Sequence, residues 1–432
     1  MAGQEANGSQ TGTMSRADRG ARTARRLAPL AGLALALLVV LSGCGGMEII
    51  PGQPFSSLSP ANEKANDIHG LYRLIFWAAL VVFVLVQFAI VYAALKFRRR
   101  GDERPAQVHG SRTAEIAWTV IPAVLLLIVF IPTARMIYDH AAAEETATFE
   151  IDIYGKQWWW EVHYPGIPLN DADPEAGPLI TANEIMIPQG ADVVFNLRSN
   201  NVIHSFWVPQ LSGKQDVIPG RNNRLQFTAD TVGEYYGECT EFCGGAHAWM
   251  RFKVLVVPQA EFDGWVTAMR TPPPVDANPD TADVVEVPAS YALCLVCHNI
   301  DGTNANLARS GLNSDPYSNN AGPNLTLLAC RDTIAAGLLE NTPQNLEMWL
   351  KHSDEVKDGN YMPPYYKLGQ LTDAQIAELV PYLMSLKPAG GCPEDPPVGG
   401  NPDYVTTNVV INEPVGELPA AATPAPAASP TP

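Results

Sequence analysis

Three uncharged apolar stretches mark the first third of the chain: Leu27 to Gly43, Leu74 to Leu95 and Ile116 to Ala134. The first follows Arg16, Arg19, Arg22, Arg25 and Arg26, so a basic region precedes a short apolar one, the pattern of an export signal over 1–43. The other two are long enough to cross about 30 Å of hydrocarbon as helices, which predicts spans at 74–95 and 116–137 after a short segment, 44–73. The loop between them, 96–115, holds Lys96, Arg98, Arg99, Arg100, Arg104 and Arg112 against Asp102 and Glu103. Basic loops stay on the cytoplasmic side, so everything after Ile137 is expected outside, the topology that the export signal also demands.

Beyond the membrane the period changes. Phe149-Glu150-Ile151-Asp152-Ile153-Tyr154, Asp192-Val193-Val194-Phe195-Asn196-Leu197 and Phe252-Lys253-Val254-Leu255-Val256-Val257 are short apolar or alternating stretches broken by Gly, Pro and Asn. They predict an antiparallel β sandwich or barrel over 147–258. A linker is expected over 259–288, proline-rich and acidic from Thr271-Pro272-Pro273-Pro274 onward. Residues 289–389 read as helical: Leu371-Thr372-Asp373-Ala374-Gln375 has the form of a capping box, followed by Ile376, Leu379, Val380 and Leu383 at helical spacing. The Pro-, Ala- and Thr-rich stretch 390–432 predicts a low-complexity tail. The expected fold class is therefore a multidomain membrane protein: a two-helix transmembrane hairpin, an all-β domain and an all-α domain.

Charge narrows the partners. The chain carries 28 basic and 45 acidic side chains, a net charge of −17, which excludes nucleic acid as the main partner because a polyanion needs a basic face. At 47% hydrophobic residues it has ample material for packed cores.

The chemistry lies in two clusters. Cys239-Thr240-Glu241-Phe242-Cys243-Gly244-Gly245-Ala246-His247-Ala248-Trp249-Met250 gathers thiols, an imidazole and a thioether, and His204 upstream offers a second imidazole. This donor set suits copper in electron transfer. A Cys2His2 zinc site would leave Met250 without a role, and a Cys239–Cys243 disulfide would leave both histidines without one. The second cluster, Cys294-Leu295-Val296-Cys297-His298, is the C-x-x-C-H pattern of covalent c-type haem attachment, with a redox-active dithiol as the alternative. Met348, Met362, Met384 and His352 could each supply a sixth iron ligand. Met362 stands in Tyr361-Met362-Pro363-Pro364, a turn ahead of the capped helix, whereas the others fall in helical patterns.

Residues 64–257 resemble subunit II of haem–copper cytochrome c oxidases, on Cys-x-Glu-x-Cys-x-x-x-His-x-x-Met and on the distant His204-Ser205-Phe206-Trp207-Val208-Pro209. The resemblance implies a cupredoxin domain of Greek-key type holding a dinuclear CuA centre. Cys239 and Cys243 would bridge the coppers, His204 and His247 would bind one each, and Met250 would be a weak ligand. Glu241 would give its backbone carbonyl to copper and its carboxylate to Mg2+ or Mn2+ at the boundary with subunit I. In Gln157-Trp158-Trp159-Trp160, Trp158 takes the place where electrons enter in this family. Glu115, ahead of Trp118-Thr119 and Pro122, matches an acid at the mouth of a proton path, although an acid in a helix's first turn also has a plain capping role. Asn201 departs from members that carry an acid there for docking cytochrome c.

The C-terminal stretch is similar to class I cytochromes c, on C-x-x-C-H, Gly322-Pro323-Asn324-Leu325 and the Met-Pro turn. That implies haem c on Cys294 and Cys297, iron between His298 and Met362, and the Pro323 carbonyl on the His298 ring. Leu41-Ser42-Gly43-Cys44 resembles a bacterial lipobox, implying lipidation of Cys44. The remaining Cys330 and Cys392 are expected to pair in an oxidising compartment. Together these features imply subunit II of a caa-type oxidase in a bacterial plasma membrane, its metal domains on the outer face. It would take electrons from cytochrome c or a respiratory complex and pass them to the oxygen-reducing, proton-pumping subunit I, with subunit III also a partner. The alternatives are a CuA subunit of a nitric or nitrous oxide reductase and a stand-alone membrane-anchored carrier. A quinol oxidase subunit is disfavoured by the copper ligands.

Overall fold

The computed structural model describes residues 56–99, 101, 110–143 (backbone only for 141–143), 147–169, 177–199, 201–271, 287–295, 297–298, 300, 322–388 and 390–393. The signal over 1–43, Cys44, most of the basic loop, linker residues 272–286 and the tail beyond 393 lie outside the described residues.

Two long helices, α1 (Glu63–Lys96) and α2 (Arg112–Ala143), contain the predicted spans and extend past them at both ends. Their apolar side chains stay exposed: Trp77, Phe83, Leu85 and Phe88 on α1, Ile121, Leu126 and Phe130 on α2. Apolar surface of that extent is stable in hydrocarbon rather than in water. Both helices are long and apolar enough to cross a membrane. The start of α1 is stitched to the β domain. Asn62 caps the helix by accepting from the Ala65 N–H, and its amide donates to Leu211 O at 2.8 Å and Thr228 O at 3.2 Å. Lys64 Nζ donates to Gln226 O at 2.7 Å.

Ten strands follow: β1 (Phe149–Lys156), β2 (Trp159–Pro168), β3 (Pro178–Ala182), β4 (Glu184–Pro188), β5 (Asp192–Ser199), β6 (His204–Trp207), β7 (Gln215–Val217), β8 (Asn223–Thr228), β9 (Gly233–Cys239) and β10 (Arg251–Val257). They form two five-stranded sheets, ordered β3-β2-β1-β5-β8 and β4-β10-β9-β6-β7. The sandwich expected from the alternation is present, but it is not wholly antiparallel: β1 pairs with β5 and β10 with β4 in parallel. Side-chain alternation reports which face is buried and is silent about strand direction. Between the sheets Trp160, Phe195, Phe206 and Phe252 are fully or almost fully buried, with Phe206 and Phe252 stacked at 4.3 Å. Truncating such a ring to alanine costs about 3–5 kcal/mol.

The segment expected as linker begins instead with a helix, α3 (Gln259–Met269). Its Phe262 and Trp265 pack on Phe149 and Tyr164, joining the sandwich core. Two apolar rings one turn apart give this stretch something to bury, which a linker lacks.

Among the described residues the C-terminal domain has two helices, α4 (Pro343–Val356) and α5 (Asp373–Met384), and short 3-10 turns at Ala289–Leu293 and Leu328–Cys330. The capping box is realised: Thr372 accepts from the Gln375 N–H and the Gln375 side chain accepts from the Thr372 N–H. One departure from all-α is a minimal hairpin, β11 (Thr333–Ile334) with β12 (Leu339–Glu340), turned by Ala335, Ala336 and Gly337 at positive φ. Cys330 and Cys392 form a disulfide closing a separation of 62 residues, a closure that contributes about 4 kcal/mol in the chain-entropy account.

The hairpin rests on the β domain. Ala336 packs with Trp159 and Ala182. Glu184 accepts from the Thr333 N–H at 2.9 Å and its hydroxyl at 2.7 Å. Buried Lys253 lies 3.5 Å from Glu234 and pairs with Asp332 across the domains. Burial pushes the Glu184 carboxyl up, and the surrounding carboxylates push the Lys253 amine up despite its burial.

Candidate metal centres

Strand pairing assembles the first cluster. Cys239 ends β9 and Met250 immediately precedes β10, so the antiparallel β9–β10 pair folds the intervening segment into one loop, closed by Cys239 N–H donating to Met250 O at 3.0 Å. His204 opens β6, which lies beside β9. The ligand atoms of His204, Cys239 and Cys243 fall within 4.8 Å of one another. Cys239 Sγ is 3.8 Å from Cys243 Sγ and 3.9 Å from His204 Nδ1; Cys243 Sγ is 3.6 Å from His247 Nδ1 and 3.9 Å from Met250 Sδ. Each thiol therefore has its own imidazole, and both histidines turn Nδ1 toward sulfur. A disulfide needs about 2.05 Å between sulfurs, so the thiols are free. The Glu241 carbonyl sits 3.3 Å from Cys239 Sγ, while its side chain is exposed.

Two glycines make room. A Cβ at Gly155 would lie 2.7 Å from His204 Cδ2, and one at Gly244 would lie 2.9 Å from the Trp158 ring at a φ of +119°. The hydrogen bond shared by the two sulfurs holds Cys239 well below the usual thiol range and pushes Cys243 above it. Two soft sulfurs each paired with an imidazole, with a thioether and a carbonyl in reach, fit a pair of copper ions. A single tetrahedral zinc would use neither Met250 nor the carbonyl.

The second cluster lines a cavity in the C-terminal domain. Cys294, Cys297, His298 and Met362 face it together with apolar side chains such as Leu350 and Leu383. Among the described residues Met348, Met384 and His352 do not line it. His298 Nδ1 lies 2.8 Å from the Pro323 carbonyl, which can only accept, so Nδ1 carries the proton and Nε2 is left as the ligating atom. Burial pulls the His298 pKa down, keeping the ring neutral. A Cβ at Gly322 would lie 2.4 Å from the His298 ring. Met362 is set by Asn360, whose Oδ1 accepts from the Met362 N–H at 2.7 Å and whose amide ties to Ser353 O and Lys357 O at the end of α4. A large apolar cavity with paired free thiols and a poised imidazole fits a covalently attached haem.

Gln157, Trp158 and Trp159 of the β domain also line that cavity. Trp158 is 5% exposed. Its indole N–H donates to Cys243 O at 3.1 Å, and the Gln157 amide donates to the same oxygen at 2.7 Å. Gln157 Oε1 accepts from Asn201 at 3.1 Å and from the Tyr361 hydroxyl at 3.3 Å. The position where an acid was sought thus carries an amide that aims Gln157. Lys357 Nζ donates to Trp158 O at 2.6 Å and to Ala335 O at 3.2 Å; burial pulls its pKa down to about 7. Gln157, Lys357, Gly359 and Tyr361 escaped the sequence reading. Gln157 adjoins the tryptophans and Tyr361 adjoins Met362, whereas Lys357 and Gly359 carried no local signal. Glu115 lies in the first turn of α2, remote in sequence from both clusters.

Comparison with known proteins agrees with this layout. Residues 149–257 match the family model for cytochrome C oxidase subunit II, periplasmic domain; residues 55–136 match its transmembrane domain; residues 284–387 match cytochrome c. Cytochrome c oxidase subunit 2 of Alkalihalophilus pseudofirmus is 33% identical over 85% of this chain and 98% of that protein. Its counterpart in Bacillus sp. strain PS3 is 35% identical over 81% of this chain and 95% of that protein. The solved periplasmic domain of subunit II from Bradyrhizobium japonicum is 32% identical over 28% of this chain and 93% of that structure, at a TM-score of 0.25 that carries no argument of its own.

Proposed function

Because the chain belongs to the cytochrome c oxidase subunit II family, we propose that its two donor clusters are the dinuclear copper and haem c centres through which that subunit handles electrons. The protein is the membrane-anchored subunit II of an oxidoreductase complex and works with subunit I. Cys239, Cys243, His204 and His247, the last two through Nδ1, would hold the copper pair, with the Met250 thioether as a weak ligand and the Glu241 carbonyl completing the set. Cys294 and Cys297 would hold the haem covalently, and His298 Nε2 and Met362 would ligate its iron. When bound, the copper pair and the haem supply one-electron couples, and the His/Met ligation sets a high potential for the haem.

The chain's own residues hold these centres still. Gln157 and Trp158 fix the Cys243 carbonyl, the Pro323 carbonyl fixes the His298 tautomer, and Asn360 fixes the Met362 turn. Rigid positioning of this kind keeps reorganisation small. Trp158 is where electrons reach the copper loop. The exposed Glu241 carboxylate is free to meet Mg2+ or Mn2+ where subunit I abuts, and Glu115 takes its place at a proton path. The basic loop favours a multi-pass topology with both metal domains outside, and Cys44 is the lipidation site of a cleaved signal. Subunit III and a cytochrome c or respiratory complex are the remaining partners.

The observation that carries this reading is the matched pair of thiol–imidazole contacts at 3.6 and 3.9 Å around unlinked sulfurs. Metal analysis with EPR on the matured chain tests it: a mixed-valence copper signal beside a low-spin haem is expected, and zinc in the Cys239 loop would refute it.

A further inference from the structure

Within this chain, the tryptophan at the copper loop is covered. The C-terminal domain lays the segment 357–361 across it. The Tyr361 ring lies 4.6 Å from the Trp158 ring, centroid to centroid, tilted by 36°. Gly359, at a φ of +78°, approaches so closely that a Cβ there would stand 2.9 Å from the Gly245 carbonyl carbon and 3.2 Å from Ala246 N. Lys357 spends its buried ammonium on the Trp158 carbonyl and on Ala335 of the docking hairpin. Tyr361 directly precedes Met362, and both line the cavity that His298 lines. One short sequence thus touches the haem cavity at Met362 and the copper loop at Trp158, whose indole donates to Cys243 O.

We propose that Tyr361 is the positioning residue that couples the haem cavity to Trp158, and that Lys357 and Gly359 hold it there, the Tyr361 ring itself standing exposed over a tryptophan that is closed to outside donors. This rests on the assignment of both centres given above. With both groups bound, the one electron the haem would give up is the one the copper pair would take. The tyrosine ring provides the path between them; it makes or breaks no bond and neither gains nor loses a proton. A soluble donor then meets the outer face of the C-terminal domain, because Trp158 is not available to it.

The junction has consequences that an incidental contact would not. Transfer inside the junction needs no charge attraction between separate molecules, so it should keep its rate between about 0.01 and 0.15 M salt, a range over which exposed charge attractions weaken strongly. Delivery from an external donor should fall over the same range.

The test uses the assembled holoenzyme carrying Tyr361→Leu, Tyr361→Phe or Gly359→Ala, with haem-to-copper transfer followed in single turnovers. Amide exchange across 157–158 and 243–246 is measured in the same samples. Tyr361→Leu should slow internal transfer roughly ten- to hundredfold, the scale on which loss of positioning acts, with the haem and copper spectra unchanged. Tyr361→Phe, which keeps the ring, should restore most of the rate. Gly359→Ala should raise exchange at 243–246 and let added soluble cytochrome c reduce copper directly. Wild-type transfer in Tyr361→Leu, or direct copper reduction by soluble cytochrome c in the unaltered chain, overturns the proposal. Failure of the underlying assignment looks different: the unaltered chain would then lack the copper or the haem spectrum.

Discussion

In the β domain five sulfur and nitrogen atoms sit within 4 Å of a neighbouring donor, held by strands β6 and β9 and a loop closed on itself, with glycines clearing the space around them. In the C-terminal domain the donors instead face a cavity between short elements, walled by apolar side chains. The β domain owns a continuous aromatic and aliphatic core that runs far beyond the donors Cys239, Cys243 and Met250 it includes. The smaller core of the C-terminal domain surrounds the cavity, so the group that fills it is also core. The first site is scaffolded by the fold, while the second helps to make the fold. Their metal dependences should therefore differ even though electrons pass between them.

The largest expected effects break one side of this contrast at a time. Cys239→Ser should abolish the dinuclear copper EPR signal and turnover while leaving the haem spectrum and the β-sheet circular dichroism intact. Loss of the haem spectrum in that variant would mean the domains are not independent. Replacing both Cys294 and Cys297 by alanine should remove the covalent haem and with it the protease resistance of 287–393, because an emptied apolar cavity costs about 24 cal/mol per Å³; the copper signal should survive.

Deleting 289–432 uncovers Trp158, and turnover should then depend on added soluble cytochrome c. Turnover without that dependence would remove the fused haem from the route. Lys253→Met removes the buried ammonium that pairs with Glu234 and Asp332 and faces Glu184 at the domain contact, a change that costs about 3–5 kcal/mol when a buried pair loses one partner. Thermal unfolding should show the C-terminal domain undocking first. The smallest effect is expected for Met250→Leu, which removes only the weak thioether: copper is retained and its potential shifts.

Much of this architecture was legible in the chain because it is local. The Cys239–Met250 loop, C-x-x-C-H and the Thr372–Gln375 capping box each lie within one short stretch, and apolar alternation marked the strands. What stayed hidden depends on distant partners. Lys357 and Trp158 are separated by 199 residues, and no pattern near either announces the other. Alternation likewise could not reveal the parallel β1–β5 and β10–β4 pairs. The helix α3 was lost to the prolines that follow it, since its two packing rings gave too short a pattern to outweigh them. Trp158 was legible as a residue and not as a covered one, because its cover comes from another domain.

The most direct measurement is a copper and iron determination with EPR on the full, matured chain. Two coppers for each iron, with a dinuclear copper signal that vanishes in Cys239→Ser, is the predicted result. Copper in a mononuclear signal, or zinc in its place, would contradict the account.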